Sequence, residues 1–428
     1  LKLKIQRVTV KALSEGDKTS FDAGTLKVNR QEIIDMLMKD QRFSSVRVEL
    51  ARPGESARII PVKDVVEPRC KVEGSGEVFP GFIGDVETVG QGTTLVLGGA
   101  AVVTCGKIVG FQEGIIDMSG PGADYTPFSK TFNVVLVVEP VEGLEKHDYE
   151  SACRLAGLKV AHFLASAAKE TSEGEVATYE LPDLARAMTS FPGLPKVAYL
   201  YMLQSQGLLH DTYVYGVDAK RIIPTLIHPN EVMDGAIVSG NCVSACDKNS
   251  TYSHQNNPII HHMYRKHGKD FNFVGCIITN ENTTLADKKR SSSYAVKLAK
   301  MLGVEGVIIS EEGFGNPDTD LIMNCRKAEQ SGIKTVLVTD EYAGRDGASQ
   351  SLADACPEAD AVVTAANANE TIVLPEMERV IGLPDTANVI AGGFEGSLRE
   401  DGSIEVEIQA ITGATSELGL SRIGAYTI

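Results

Sequence analysis

The dipeptide Asn241-Cys242 stands at the end of a strand-like apolar run, Ala236-Ile237-Val238-Ser239-Gly240. A thiol one bond beyond a peptide carbonyl can attack it and turn the amide into a thioester, because thiolate is strongly nucleophilic and sulfur leaves well. Gly240 opens backbone angles closed to other residues and so permits a strained turn at this point. β-Elimination would then cut the chain, and loss of ammonia from the dehydroalanine would leave a pyruvoyl cap made from Cys242. The dipeptide alone is weak support, since a free cysteine is usually a small, buried, inert hydrophobe. On the residues alone both readings stay open.

Other chemistry clusters downstream. Cys242 and Cys246, with His254, His261 and His262, supply thiols and imidazoles, but structural zinc prefers tighter repeated spacings and adjacent histidines rarely share one metal. No metal site is expected. His261 and His262 are candidate acid/base groups, with a surface or core role as the plainer alternative. Cys246 is a second candidate nucleophile. No Walker loop, HExxH, GxSxG or correctly placed GxGxxG is present, so a nucleotide or nicotinamide cofactor has no support.

These residues need a scaffold, and the C-terminal part of the sequence describes one. Phe273–Thr279, Val304–Ser310, Thr335–Thr339 and Ala361–Thr364 read as buried strands, with helical spacing between the first three. Asn316-Pro317 reads as the start of a helix that stops at Gly332. Strand–helix alternation of this kind implies a doubly wound, largely parallel sheet. Glu311-Glu312, Asp340-Glu341-Tyr342 and Ala366-Asn367 follow three of the strands, where open parallel sheets bind ligands. Ordinary caps and loop residues would look the same.

The N-terminal part is mixed α/β. Leu3–Val10, Ser45–Leu50 and Thr94–Val103 have strand composition. Asn29 with Glu32 suggests a capping box. A long alanine-rich helix is expected from His147 to Lys169, and an ordered loop over Gly110–Lys130. The chain thus divides into a strand-rich α/β region (1–145), a helical and connecting region ending at the dipeptide (146–241), and a doubly wound domain (242–428).

Composition excludes several functions. With 41 basic and 57 acidic residues the formal charge is −16 and no basic stripe is visible, which argues against nucleic acid. No run approaches the roughly 20 apolar residues that span a bilayer. Leu1–Val10 lacks the continuous apolar core of a signal peptide. The 8 cysteines are scattered without a CxxC pair, as expected in a reducing cytoplasm.

Three further segments are as distinctive as the dipeptide's surroundings. They are Gly106–Gly120 (GKIVGFQEGIIDMSG), Tyr125–Lys130 (YTPFSK) and Glu311–Asp320 (EEGFGNPDTD), beside Gly240–Asp247 (GNCVSACD). With these the sequence resembles, over essentially its full length, the component B alpha/beta precursors of the glycine reductase family of amino-acid-fermenting anaerobes. The resemblance implies autocatalytic cleavage before Cys242, which becomes a pyruvoyl group. It implies a Schiff base with the amine of glycine or a related small amine, followed by displacement at the α-carbon by a selenocysteine-bearing subunit of component B. The product passes to selenoprotein A, and acetyl phosphate is formed later. A hetero-oligomer follows from the same resemblance. Sarcosine or betaine is the alternative substrate, although a quaternary ammonium gains nothing from imine formation. A non-enzymatic scaffold for the selenoprotein is the alternative of another class.

Overall fold

The computed structural model describes residues 1–87, 89–109, 113–171, 173–207, 209, 212–240 and 249–412. The sequence expectation of an α/β fold holds, with two larger mixed or parallel sheets and several small ones.

The C-terminal sheet has six strands in the order Thr225–Ile227, Asn272–Asn280, Lys196–Leu203, Gly306–Ser310, Lys334–Glu341, Val362–Asn367. Every pairing is parallel except the antiparallel edge strand 225–227. Its two faces explain the unbroken apolar runs. Ala198, Leu200 and Met202 pack toward helices Leu285–Met301 and Asn316–Gln330. Tyr199, Tyr201 and Leu203 pack toward Ile259, Ile260 and Met263 of helix Pro258–Lys266. A strand buried on both faces has no polar side to alternate with.

Strand 196–203 lies between 272–280 and 306–310, so the sheet that follows position 241 in sequence is built around a strand that precedes it. The exchange runs the other way as well. Strand Arg379–Gly382 pairs in parallel with Ala57–Val66 of the N-terminal sheet. That sheet continues through Ala100–Cys105 and Phe132–Pro140 to Phe43–Ala51, and helix Lys146–Ser166 packs on it. Ala152, Ala156, Ala161 and Leu164 supply its buried face.

Several local expectations shift. Thr94–Val103 is not one strand: it breaks at Gly99, whose φ of +81° carries the chain from the four-stranded sheet (Gly92–Gly98) into the larger one (Ala100–Cys105). Within Gly110–Lys130, residues Gly114–Asp117 form a strand on 57–66, followed by two 3-10 turns. The capping box at Asn29 is half made. Asn29 accepts from the Gln31 and Glu32 N–H groups, but the Glu32 carboxylate accepts from Thr19 N instead, at 2.9 Å. Helix 316–330 is capped by Gly315, one residue before the expected Asn316.

Candidate active site

The carboxyl ends of strands 196–203, 272–280, 306–310 and 334–341 meet along one edge, and polar residues follow each of them. Glu312 is the hub. Its Oε2 accepts Gln204 N at 2.7 Å and Thr212 Oγ1 at 3.2 Å, while Oε1 accepts Asn249 N at 3.1 Å. Its own backbone N–H donates to Glu281 Oε1 at 3.0 Å. His254 Nε2 lies 3.3 Å from Glu312 Oε1, and both side chains are fully buried.

A short helix positions His254. Helix Thr251–Gln255 is capped by Ser250, whose side chain accepts Ser253 N, and Asn257 caps the helix that follows. On its other side the His254 ring meets Tyr201 through Nδ1, at 2.5 Å from the phenol oxygen. Tyr201 stacks on Tyr199 with centroids 4.7 Å apart, and Tyr199 in turn bonds Ser310 Oγ at 2.5 Å. The imidazole is therefore held through Nδ1 by a chain of groups that are themselves fixed, while Nε2 faces Glu312 Oε1 without a hydrogen bond among the described residues.

The carboxylates around Glu312 are electrostatically crowded. Burial, then Glu312 and Asp320, holds the Glu281 carboxyl well above the ordinary range. Burial, then Asp318 and Glu281, does the same to Glu311, which accepts Thr339 Oγ1 at 2.7 Å. Burial also pushes Asp320 up to about 6, although Lys288 is bonded to it and pulls the other way. Like charges in a low-dielectric edge cannot all ionise, so this edge retains protons.

The edge also brackets the dipeptide. Strand Ile237–Ser239 leads into buried Gly240, and the described chain resumes at buried Asn249. Ser239 N donates to Thr251 Oγ1 at 2.9 Å, and Thr251 is held by Asp64 through its N–H at 2.8 Å and its hydroxyl at 2.6 Å. Ser239 Oγ and both side-chain amide atoms of Asn249 are buried without a hydrogen-bond partner among the described residues. Asn241, Cys242 and Cys246 themselves lie outside the described residues.

Glu311 and Glu312 thus stand together at the edge. His261 and His262 sit elsewhere, on helix 258–266. His261 meets Tyr179 edge-on with centroids 5.4 Å apart, and burial, then Arg7 and Arg69, pushes it down to about 4. His262 is lowered by burial and by Arg265. The histidine beside Glu312 is His254, which sequence reasoning weighed only as a metal ligand. Glu281 and Tyr201 were missed. Glu281 follows an apolar strand directly, as Glu311 does, and that shared position was the available signal. Among the described residues no group of three or more His, Cys, Asp or Glu is arranged to hold a metal ion, and no helix is long and apolar enough to cross a membrane.

Comparison with known proteins adds the decisive observation. The family model for glycine/sarcosine/betaine reductase component B subunits matches residues 1–426. The chain belongs to this family. It is 64% identical to the glycine reductase complex component B subunits alpha and beta of Acetoanaerobium sticklandii, covering 100% of both chains. Two relatives come from Peptoclostridium acidaminophilum, each covering 99% of both chains. One, the glycine reductase complex component B subunits alpha and beta, is 59% identical; the other, the sarcosine reductase complex component B subunit alpha, is 56% identical. No solved structure matches. Family membership gives the chain an oxidoreductase-type role as one component of a reductase complex.

Proposed function

We propose that this chain is the substrate-activating component of a glycine reductase, matured by cleavage at Asn241–Cys242. The observation that carries the proposal is the full-length match at 64% identity to a glycine reductase component B chain. Within one organism, the glycine relative is also nearer than the sarcosine relative, 59% against 56%.

The residues flanking the dipeptide suit a pyruvoyl group derived from Cys242. Ser239 Oγ and the Asn249 amide are buried hydrogen-bonding groups without a partner among the described residues, one residue before Gly240 and directly after position 248, and would hold its oxygen atoms. Bound there, the group supplies a ketone carbonyl that takes up the glycine amine and draws electrons from the carbon–nitrogen bond. Maturation needs a proton removed from the α-carbon of residue 242 as the carbon–sulfur bond breaks. His254 is the base available. Tyr201 holds the ring at Nδ1, and Nε2, buried without a hydrogen-bond partner among the described residues and 3.3 Å from Glu312 Oε1, is the atom that would accept the proton. Burial raises the Glu281 and Glu311 carboxyls well above the ordinary range, which favours their neutral forms and so limits the negative charge against which the glycine carboxylate would be placed. Displacement at the α-carbon falls to the selenocysteine-bearing subunit of component B, and transfer onward to selenoprotein A.

Intact mass under denaturing conditions tests the cleavage. Two fragments are expected, split before residue 242, the C-terminal one blocked to N-terminal sequencing and reactive with a carbonyl reagent. Cys242→Ala should remain one chain. Borohydride with labelled glycine should fix label on the C-terminal fragment. A full-length chain with a free Cys242 thiol in active native complex would refute the proposal.

A further inference from the structure

A second polar site is assembled from residues on both sides of position 241. At its centre is fully buried Glu67. Its Oε1 accepts Arg7 Nη1 at 2.7 Å, and its Oε2 accepts Arg69 Nη2 at 2.5 Å and Asn256 Nδ2 at 3.0 Å. Burial raises the Glu67 carboxyl, but Arg7 and Arg69 outweigh it and hold the group below its ordinary range. One carboxylate therefore serves two guanidiniums. Arg69 is itself buried; Nη1 is spent on Met233 O, and Nε has no hydrogen-bond partner among the described residues. The neighbouring Lys71–Asp234 pair balances itself. With Arg69 buried and Arg7 half-buried, its Nη2 donating to Asn256 Oδ1 at 3.2 Å, one positive charge in this cluster is left without a carboxylate of its own.

This charge borders a cavity of about 210 Å³ lined by Arg7, Arg69, Tyr179, Asn256 and His261, with Glu175 also on its wall. Glu175 is exposed, and water screens it. Burial raises the Tyr179 phenol and lowers His261 to about 4, so at neutral pH one is an O–H donor and the other a neutral ring with one N–H. The space is smaller than the roughly 300 Å³ at which pockets for drug-sized ligands begin.

We propose that this cavity binds a small oxyanion, either a carboxylate of amino-acid size or inorganic phosphate, on Arg7, Tyr179 and His261, beside the buried guanidinium of Arg69. Guanidinium–oxyanion bonds are charge-assisted and directional, and the anion balances the charge that Glu67 leaves over. Arg7, Arg69 and Tyr179 precede position 241, while Asn256 and His261 follow it, so the ligand also bridges the two parts of the chain. The inference does not depend on the reaction the chain performs.

Isothermal titration calorimetry on the full chain, at fixed ionic strength in chloride, tests it with inorganic phosphate in one arm and acetate in the other. One saturable site per chain is expected for at least one anion, and the arm that binds identifies the ligand class. Arg69→Met should abolish uptake. Because that variant leaves a gap beside Glu67, His261→Glu provides the second check. It sets a carboxylate inside the cavity without touching the Glu67 bonds, and should weaken uptake about tenfold or more while leaving the melting temperature unchanged or raised. No saturable uptake of either anion by the unmodified chain would assign the cavity to water and overturn the proposal. Uptake undiminished in both variants would place the anion elsewhere and overturn it as well.

Discussion

His254 Nε2 and Glu312 Oε1 face each other at 3.3 Å in a fully buried setting, and the same Glu312 oxygen accepts the backbone N–H of Asn249. The first described residue after the dipeptide segment is therefore fixed by the carboxylate that Nε2 of the imidazole faces.

Replacing Glu312 with Gln should be costly. Each carboxylate oxygen accepts a backbone N–H, from Gln204 or from Asn249, and the amide presents an NH₂ to one of them. A buried clash of donors costs about 1–3 kcal/mol. Urea unfolding of Cys242→Ala with and without Glu312→Gln should show that loss. In the otherwise unaltered chain, Glu312→Gln should also slow cleavage in time courses of intact mass. Equal midpoints and equal cleavage rates would remove Glu312 from both roles.

Glu281 and Glu311 predict a pH dependence with a definite sign. Their carboxyls sit well above the ordinary value of 4.5 when folded, so the folded chain holds more protons than the unfolded one from there upward. Stability should fall as pH rises through that window. Glu281→Gln and Glu311→Gln carry no titrating proton and should flatten the curve, gaining on the parent at higher pH. Denaturant midpoints from pH 5 to 9 would reveal a parallel curve, and so the error, if the carboxyls were ionised throughout.

The two products of the proposed cut should stay together. Strand 196–203 is internal to the C-terminal sheet, strand 379–382 pairs with 57–66, and Arg58 Nη2 donates to Pro375 O at 2.9 Å. Under native conditions gel filtration should give one peak containing both fragments, and denaturant should separate them. Fragments that part at neutral pH without denaturant would contradict this interleaving.

Gly382 is the tightest joint in that interleaving. Its φ is +111°, and an added Cβ would lie 1.9 Å from Ile60 O and 2.6 Å from Cys105 Sγ. Gly382→Ala should therefore cost about 3 kcal/mol and raise amide exchange in 379–382 above that in the rest of the sheet. Exchange unchanged there would show that the backbone absorbs the methyl.

Legibility differed from element to element. The strands ending at Thr279, Ser310 and Thr339 were readable because burial on both faces leaves continuous apolar runs, and Glu311-Glu312 followed from strand position. Strand 57–66 was not readable, since Arg58, Lys63 and Asp64 interrupt it and are buried only because partners distant in sequence receive them, such as Asp117 for Arg58 and Thr251 for Asp64. His254 looked like any downstream histidine, because Tyr201 and Glu312 reach it only through the sheet.

The sequence by itself determined the α/β class and the family, and it singles out the Asn241-Cys242 dipeptide on which the proposed function rests, because periodicity, composition and local order are properties of neighbours along the chain. The tertiary structure alone decided that Glu312 takes His254 rather than His261 or His262. It also decided that burial raises the Glu281 and Glu311 carboxyls well above the ordinary range, and that residues before and after position 241 share sheets. Those outcomes depend on long-range strand pairing and on desolvation, which bring charges together and remove water in ways no local spacing encodes.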